Sequence, residues 1–272
     1  MKNQSTLIDV VRRPGCCGSA LAALLLLGIA ASSSSGQVLP PSSLPYGYSY
    51  QEWSAKWWQW QLGSSTNHQG MVGDPGICSG PASRVRFPPA AFAPGSGGIT
   101  IVTNKPITIP AGTPLFFPIF NTWADNGACP LSAFTSFTAE QLAAMDEGVW
   151  SGVTETSCAI DGVAVAGLDD PINTIYHVVS PPFSYTTAEH DNVLAGYFGA
   201  SCIPGGLTIY PAVGDGVYLM LAPLSPGKHT LHTVGVAGPL SAPFVKVDIT
   251  AEITVSHDHD GDHDGDHDGG GR

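Results

Sequence analysis

The chain has 272 residues, a formal net charge of −12, 12% charged side chains and 43% hydrophobic ones. Scattered, scarce Lys and Arg on an acidic chain exclude a nucleic-acid binder and argue against an anionic-membrane binder. The hydrophobic content is enough for a core, and 33 Gly and 23 Pro make the chain turn-rich but short of low complexity.

The N-terminus reads as a secretory signal peptide over 1–36. Lys2, Arg12 and Arg13 give the positive region, Ala20 to Ala31 the short apolar run, and Ser32 to Gly36 the small residues before cleavage. The apolar run is too short to span a bilayer, and no later segment approaches that length. Cys16 and Cys17 precede the run, so neither suits a lipid anchor. The expected location is secreted or periplasmic, with no transmembrane segment in the mature chain. Residues 37–48 are rich in Pro and Ser and predict an extended leader.

Next comes a helix over 49–62, dense in tryptophan. Ser49 and Glu52 make a capping box, Glu52 and Lys56 an i,i+4 pair, and Gly63 suits a left-handed C-cap. Tyr50, Trp53, Trp57 and Trp60 share one face, with Trp58 and Leu62 on a second apolar side. Four large aromatics carry roughly 600–1,000 Å². A soluble monomer seldom exposes an apolar patch above about 600 Å². The stripe is therefore expected to be core. The competing reading makes Trp53, Trp57, Trp58 and Trp60 a platform for a glycan or an envelope component, with Trp58 its best candidate.

Strand signals follow. Ile99–Val102 and Ile107–Ile109 are short β-branched runs, and Thr113–Asn121 reads as a buried strand broken by Pro118. Thr154–Ile160, Asp161-Gly162 and Val163–Val165 predict a hairpin, because Asp-Gly tolerates the positive φ of a type I′ turn. Thr174–Val179 is another strand. Val217–Leu221 and His229–Val236 flank a turn at Pro223–Gly227, and Phe244–Val255 is the last strand. Thr138–Glu147 predicts a second helix, with a Thr138/Gln141 capping box and Leu142, Met145 and Val149 as its apolar face. The expected fold is mainly β: a single-domain β-sandwich over 49–255, jelly-roll or Ig-like, with one or two short helices.

Cys78, Cys129, Cys158 and Cys202 remain after signal removal, an even number that predicts two disulfides in an oxidising compartment. The favoured pairs are Cys78–Cys129 and Cys158–Cys202, with other connectivities open. No Cys-x-x-Cys spacing supports zinc.

The tail over 256–272 repeats Asp-His-Asp-Gly and is too polar to fold. Its imidazoles at His257, His259, His263 and His267, with Asp258, Asp260, Asp262, Asp264, Asp266 and Asp268, suit weak binding of Zn, Ni or Cu. A tight calcium loop is not expected, because its twelfth position is Gly271 rather than Glu. The fold itself requires no cofactor. His229 and His232, three apart in a strand, face opposite ways and cannot share a metal. Glu189-His190-Asp191 and Asp169-Asp170 read as solvated loop residues.

Several stretches resemble an uncharacterised family of exported bacterial proteins. They are Glu52-Trp-Ser-Ala-Lys-Trp-Trp-Gln-Trp60, the run Ile109 to Ile119, Ile160-Asp-Gly162, Ser180-Pro-Pro-Phe183, and Asp215 to His232 with its Pro-Gly-Lys-His-Thr turn. The resemblance implies a bacterial exported origin and one continuous domain. That family carries no assigned activity, so no catalytic residue follows. Nucleophile elbow, zinc-protease, P-loop and dinucleotide fingerprints are missing from the sequence. The expectation is an exported, non-catalytic binding or envelope-associated protein. The alternatives are a secreted hydrolase with scattered catalytic residues, and a metal-sequestering protein acting through the tail.

Overall fold

The structure, a computed structural model, describes residues 36–65, 76–77, 84–88, 98–103, 106–127, 135–198 and 203–257. The elements in chain order begin with β1 (Val38–Leu39), α1 (Tyr50–Gly63), β2 (Gly76–Ile77), β3 (Arg86–Phe87), β4 (Gly98–Thr103), β5 (Ile107–Pro110) and β6 (Leu115–Asp125). There follow α2 (Ala139–Trp150), β7 (Val153–Ile160), β8 (Val163–Ala164), β9 (His177–Val179), β10 (Phe183–Thr186) and α3 (Val193–Phe198). The chain closes with β11 (Thr208–Leu221), β12 (Gly227–Ala237) and β13 (Val245–Ser256). The architecture is mainly β, in two sheets. One has the order β1-β11-β6-β3-β2, with β9 and β10 also on β11; the other has β4-β13-β12-β7-β8, with β5 also on β13.

The long β6–β11 pair is the spine of the first sheet, running from Leu115↔Leu221 to Asp125↔Ala212. Pro118 does not break it. The register shifts beside it, between Val217 and Tyr218, and the strand continues to Asp125. Alternate residues then serve two cores. Leu115, Phe117, Val217, Leu219 and Leu221 pack with Ile109, Ile160, Leu231 and Ile253 of the second sheet. Phe116, Tyr218 and Met220 face the other way, onto Tyr50, Trp53, Trp57 and Trp58 of α1. Each such apolar side chain contributes about 1.5–3 kcal/mol on burial.

The first sheet is thus covered on both faces. That is why β11 is longer than the expected Val217–Leu221: a strand buried on both sides shows no alternation. Gly214 and Gly216, which precede the expected Val217–Leu221, lie inside it. A Cβ at Gly214 would collide with the Trp58 indole, and one at Gly216 would come within 2.6 Å of the Asn121 Cβ.

Both capping boxes form. Ser49 Oγ accepts from Glu52 N at 3.2 Å and Thr138 Oγ1 from Gln141 N at 3.3 Å, each reciprocated by the Glu or Gln side chain. Gly63 is not a left-handed cap. It is the last helical residue, with Ser64 extended at φ −81°, and a Cβ on it would lie 3.2 Å from the Thr186 carbonyl. The expected leader is partly a strand, since Val38 and Leu39 pair with Leu221 and Met220. Tyr50 ties leader, helix and sheet together: its hydroxyl accepts from Met220 N at 2.8 Å and donates to Leu39 O at 2.6 Å. The Asp161-Gly162 turn has φ of 52° and 79°, as a type I′ hairpin requires.

The cysteine expectation is corrected at Cys158, which is a free, buried thiol. Its strand position turns the side chain into the core between the sheets. Ile203, the first described residue after Cys202, belongs to the cluster on the opposite face of the first sheet. Cys78, Cys129 and Cys202 lie outside the described residues. Burial pushes the Cys158 thiol up to about 12. Iodoacetamide at about pH 8 is therefore expected to leave Cys158 unmodified in the native protein and to alkylate it after unfolding without reductant. Peptide mass spectrometry reads this out, and a Cys158 disulfide peptide would contradict it.

Candidate functional site

The tryptophans of α1 are core. Trp53, Trp57 and Trp58 are 0%, 2% and 2% exposed, and Trp60 is half-buried against Phe87 and Trp57. The platform reading of Trp53, Trp57, Trp58 and Trp60 is corrected accordingly, because the sheet face and aromatic neighbours already cover the stripe. The remaining polar strip of α1, with Glu52, Lys56 and Gln59, floors a shallow groove of about 370 Å³ that reaches Ser184 and Tyr210. Its polar groups engage one another: the Lys56 ammonium lies 4.4 Å over the Tyr48 ring, and Gln59 Nε2 donates to Ser184 O at 2.9 Å.

A deeper site lies under α2. The expected apolar face of this helix was Leu142, Met145 and Val149. The observed buried face is Leu142, Asp146 and Trp150, while Met145 and Val149 are 52% and 50% exposed. An i, i+4, i+8 stripe with a carboxylic acid at its centre is the sequence signal that a purely apolar reading steps around. Asp146 is 2% exposed. It borders a cavity of about 340 Å³, whose walls include Met145, Val149, Leu194 and Ile203 on the apolar side and Trp123, Asp125 and Tyr185 on the polar side.

The two acids of this cavity are held differently. Asp125, at the end of β6, accepts from Trp123 Nε1 at 2.9 Å, Gly127 N at 2.8 Å and Tyr185 OH at 2.7 Å. Asp146 Oδ2 has no hydrogen-bond partner among the described residues. Burial pushes the Asp146 carboxyl up to about 7, the nearby Asp215 charge adds to this, and the Thr122 hydroxyl and Asp215 backbone oppose it without offsetting it. Sequence reasoning missed Asp125, Asp146, Trp123 and Tyr185.

Beside Asp146 lies a half-buried ion pair. His177 Nε2 donates to Asp215 Oδ1 at 2.6 Å and Nδ1 donates to Ile172 O at 2.9 Å, while Trp150 stacks on the ring at 4.4 Å. Both nitrogens face acceptors, so the protonated ring satisfies both. Burial lowers its pKa, but the Asp215 and Ile172 hydrogen bonds and the Asp215 charge outweigh burial and raise it.

Asp161, His229 and Ser225 have the order of a catalytic triad, but not its chemistry. His229 Nδ1 lies 2.8 Å from Asp161 Oδ2, while Nε2 lies 2.8 Å from the Ser225 carbonyl and 3.5 Å from the Ser225 hydroxyl. Nε2 therefore donates to a carbonyl and has no lone pair for a serine proton. This histidine pins the Pro-Gly-Lys-His-Thr turn to the Asp161 hairpin. His232 points to the opposite face, where it pairs with Asp248 at 2.8 Å.

Glu189, His190, Asp191 and Asp169 are exposed, as is Asp170, which caps the turn at Ile172 and Asn173. In the tail only His257 is described, and it is exposed; His259, His263, His267 and the aspartates from Asp258 to Asp268 lie outside the described residues. Among the described residues no three His, Cys, Asp or Glu side chains are placed to hold a metal ion, and no helix is long and apolar enough to cross a membrane. In the comparisons with known proteins, no family model, curated protein or solved structure matches the chain.

Proposed function

We propose that this is an exported, non-catalytic binding protein, and that it takes a small molecule in the cavity under α2. The observation that carries the reading is the cavity itself: at about 340 Å³ it lies at the lower end of the usual ligand-site range of about 300–1,000 Å³, with apolar walls and a few polar groups at Trp123, Asp125 and Tyr185. Export rests on the signal-like N-terminus. Two sheets sharing one core support a β-sandwich of jelly-roll or Ig-like kind. The uncharacterised exported bacterial family stays the proposed kinship.

The test is a thermal-shift screen of the mature protein beside Val149→Trp. Val149 lies at the cavity wall and is half exposed, so the larger ring is expected to block the cavity without unfolding the protein. Some compounds should raise the melting temperature of the wild type and lose their effect in the variant. Equal shifts in both proteins, or none in either, would sink the reading. One observation favours a second reading, a hydrolase: a carboxyl with pKa near 7 suits a general acid. Turnover of a cavity-bound ester or glycoside that stops in Asp146→Asn would put the hydrolase in place of the binder.

A further inference from the structure

We infer that two copies of this chain associate through the free edge of β4, strand against strand about a two-fold axis. The inference stands apart from the cavity under α2, because it uses the rim of the second sheet.

β4 closes one side of that sheet, where it pairs only with β13 among the described residues. The ladder is parallel, and Gly98 N donates to Phe244 O at 2.8 Å. In such a ladder alternate residues bond the neighbour, and those between turn their backbone groups away. Gly98 and Thr100 therefore serve β13, while Ile99, Ile101 and Thr103 hold out their N–H and C=O groups along the free edge. The side chains agree with this. Val247 and Ile249 of β13 face the core between the sheets, so Lys246 and Asp248 lie on the outer face, in register with Ile99 and Ile101. Ile99 and Ile101 are 62% and 70% exposed, and Phe244, at the start of the same edge, is 70% exposed.

Folds normally blunt such an edge with a short strand, a proline, a charge or a bulge. The other strands that end the two sheets here are short: β1, β2 and β8 have two residues each. β5, which follows β4 along β13, ends in Pro110 and buries Ile107 and Ile109. β4 has six residues, no charge, no proline and no register shift against β13. It keeps two β-branched residues on its outer face, where a strand facing water carries polar ones.

The occupant that fits is β4 of a second copy. Antiparallel pairing about a two-fold axis sets Ile101 opposite the partner's Ile101 and Ile99 opposite the partner's Thr103. All three outward residues then exchange backbone hydrogen bonds, about six in all. Directly opposed residues share a face, so the two Ile101 side chains meet on the outer face, with each Ile99 as a diagonal neighbour. No charge lies on either strand. The nearest charges, Lys246 and Asp248, are paired with each other at 3.1 Å, and Asp248 also holds His232 at 2.8 Å. Docking therefore sets no lone charge against the partner. A two-fold contact also consumes both edges, so the assembly closes at two. Area sets its strength. Three partly exposed apolar side chains bury on the order of 100 Å² each. With the backbone edge, the two copies together bury roughly 800–1,000 Å², below the 1,200 Å² or so of stable complexes. The dimer is thus reversible, half formed on the order of 10–100 μM.

Sedimentation equilibrium of the mature protein between about 1 and 500 μM tests this. A monomer–dimer equilibrium is expected. Ile101→Lys sets two ammonium groups against each other at the axis and should weaken association at least about tenfold. Ile101→Pro removes an outward N–H without touching the β13 ladder and should do the same. Both variants should melt with the wild type, because Ile101 is exposed. Glu252→Lys, farther along β13 and exposed, should leave association unchanged. A monomer throughout the range would overturn the inference. So would a dimer indifferent to both Ile101 substitutions, which would place the contact elsewhere, and so would species that keep growing beyond two copies.

Discussion

Trp53→Ala is expected to lower stability by about 3–5 kcal/mol, the usual cost of truncating a buried Trp. Small domains are stable by about 5–15 kcal/mol in total, so the variant should melt far earlier or fail to accumulate folded. The surroundings of Trp53 place it at the upper end. It is 0% exposed, it packs edge-on to Tyr48 at 5.4 Å and Phe87 at 6.4 Å, and its indole N–H donates to Pro45 O at 2.9 Å. Truncation would open a cavity and strand that carbonyl. Paired Phe variants separate packing from hydrogen bonding. Trp57 is as deeply buried, but its Nε1 has no partner among the described residues. Trp57→Phe should therefore cost less than Trp53→Phe, by about the 1 kcal/mol of one net hydrogen bond. Urea midpoints of the three variants test this. A Trp53→Ala protein with wild-type stability would mean that the helix does not dock.

What the sequence made legible is the local chemistry. Ser49/Glu52 and Thr138/Gln141 each announced a helix start, and Asp161-Gly162 announced a hairpin, because these signals are satisfied within a few residues. The aromatic stripe of α1 was legible as core by its size alone. What failed depended on distant partners. Gly214 and Gly216 fall before the expected strand start at Val217, yet lie in β11 where Trp58 and Asn121 leave no room for a Cβ. Cys158 looks like half of a bridge until its strand register turns it into the core between the sheets. The α2 face was rotated by one residue, because Met145 and Val149 are apolar and Asp146 is not. A helix that walls a cavity can leave apolar residues half exposed at its rim and bury an acid beneath it.

Asp146→Asn is expected to stabilise the protein at about pH 8 and to change it little at about pH 5. The folded carboxyl is pushed up to about 7, from an ordinary value of 3.8. Between these values the native state holds a proton that the unfolded chain has released. Its contribution is fully present below the unfolded pKa and is lost as pH rises through the folded one. Three or so pKa units correspond to at most about 4 kcal/mol. The gain from Asn should be smaller, about 1–3 kcal/mol, because its amide N–H also needs a partner. His177 and His229 run with the same sign. In each, burial lowers the pKa, but the acceptors on both ring nitrogens outweigh it and hold the folded value raised, so their contribution is present below about 6.5 and lost as pH climbs. Glu52 and Asp248 run the other way. The Ser49 backbone holds the Glu52 pKa down; at Asp248 burial raises it, but the His232 and Lys246 hydrogen bonds outweigh that and leave it lowered. Both contribute above the usual carboxylate range and lose that contribution in acid. Wild-type stability should therefore peak in mildly acidic solution and fall toward pH 8, with Asp146→Asn flattening the alkaline side. Urea unfolding of both proteins at the two pH values reads this directly. An equal loss of stability at both would mean that Asp146 is an ordinary structural acid. A gain confined to the higher pH would mean that the fold carries a destabilising ionisable group beneath α2.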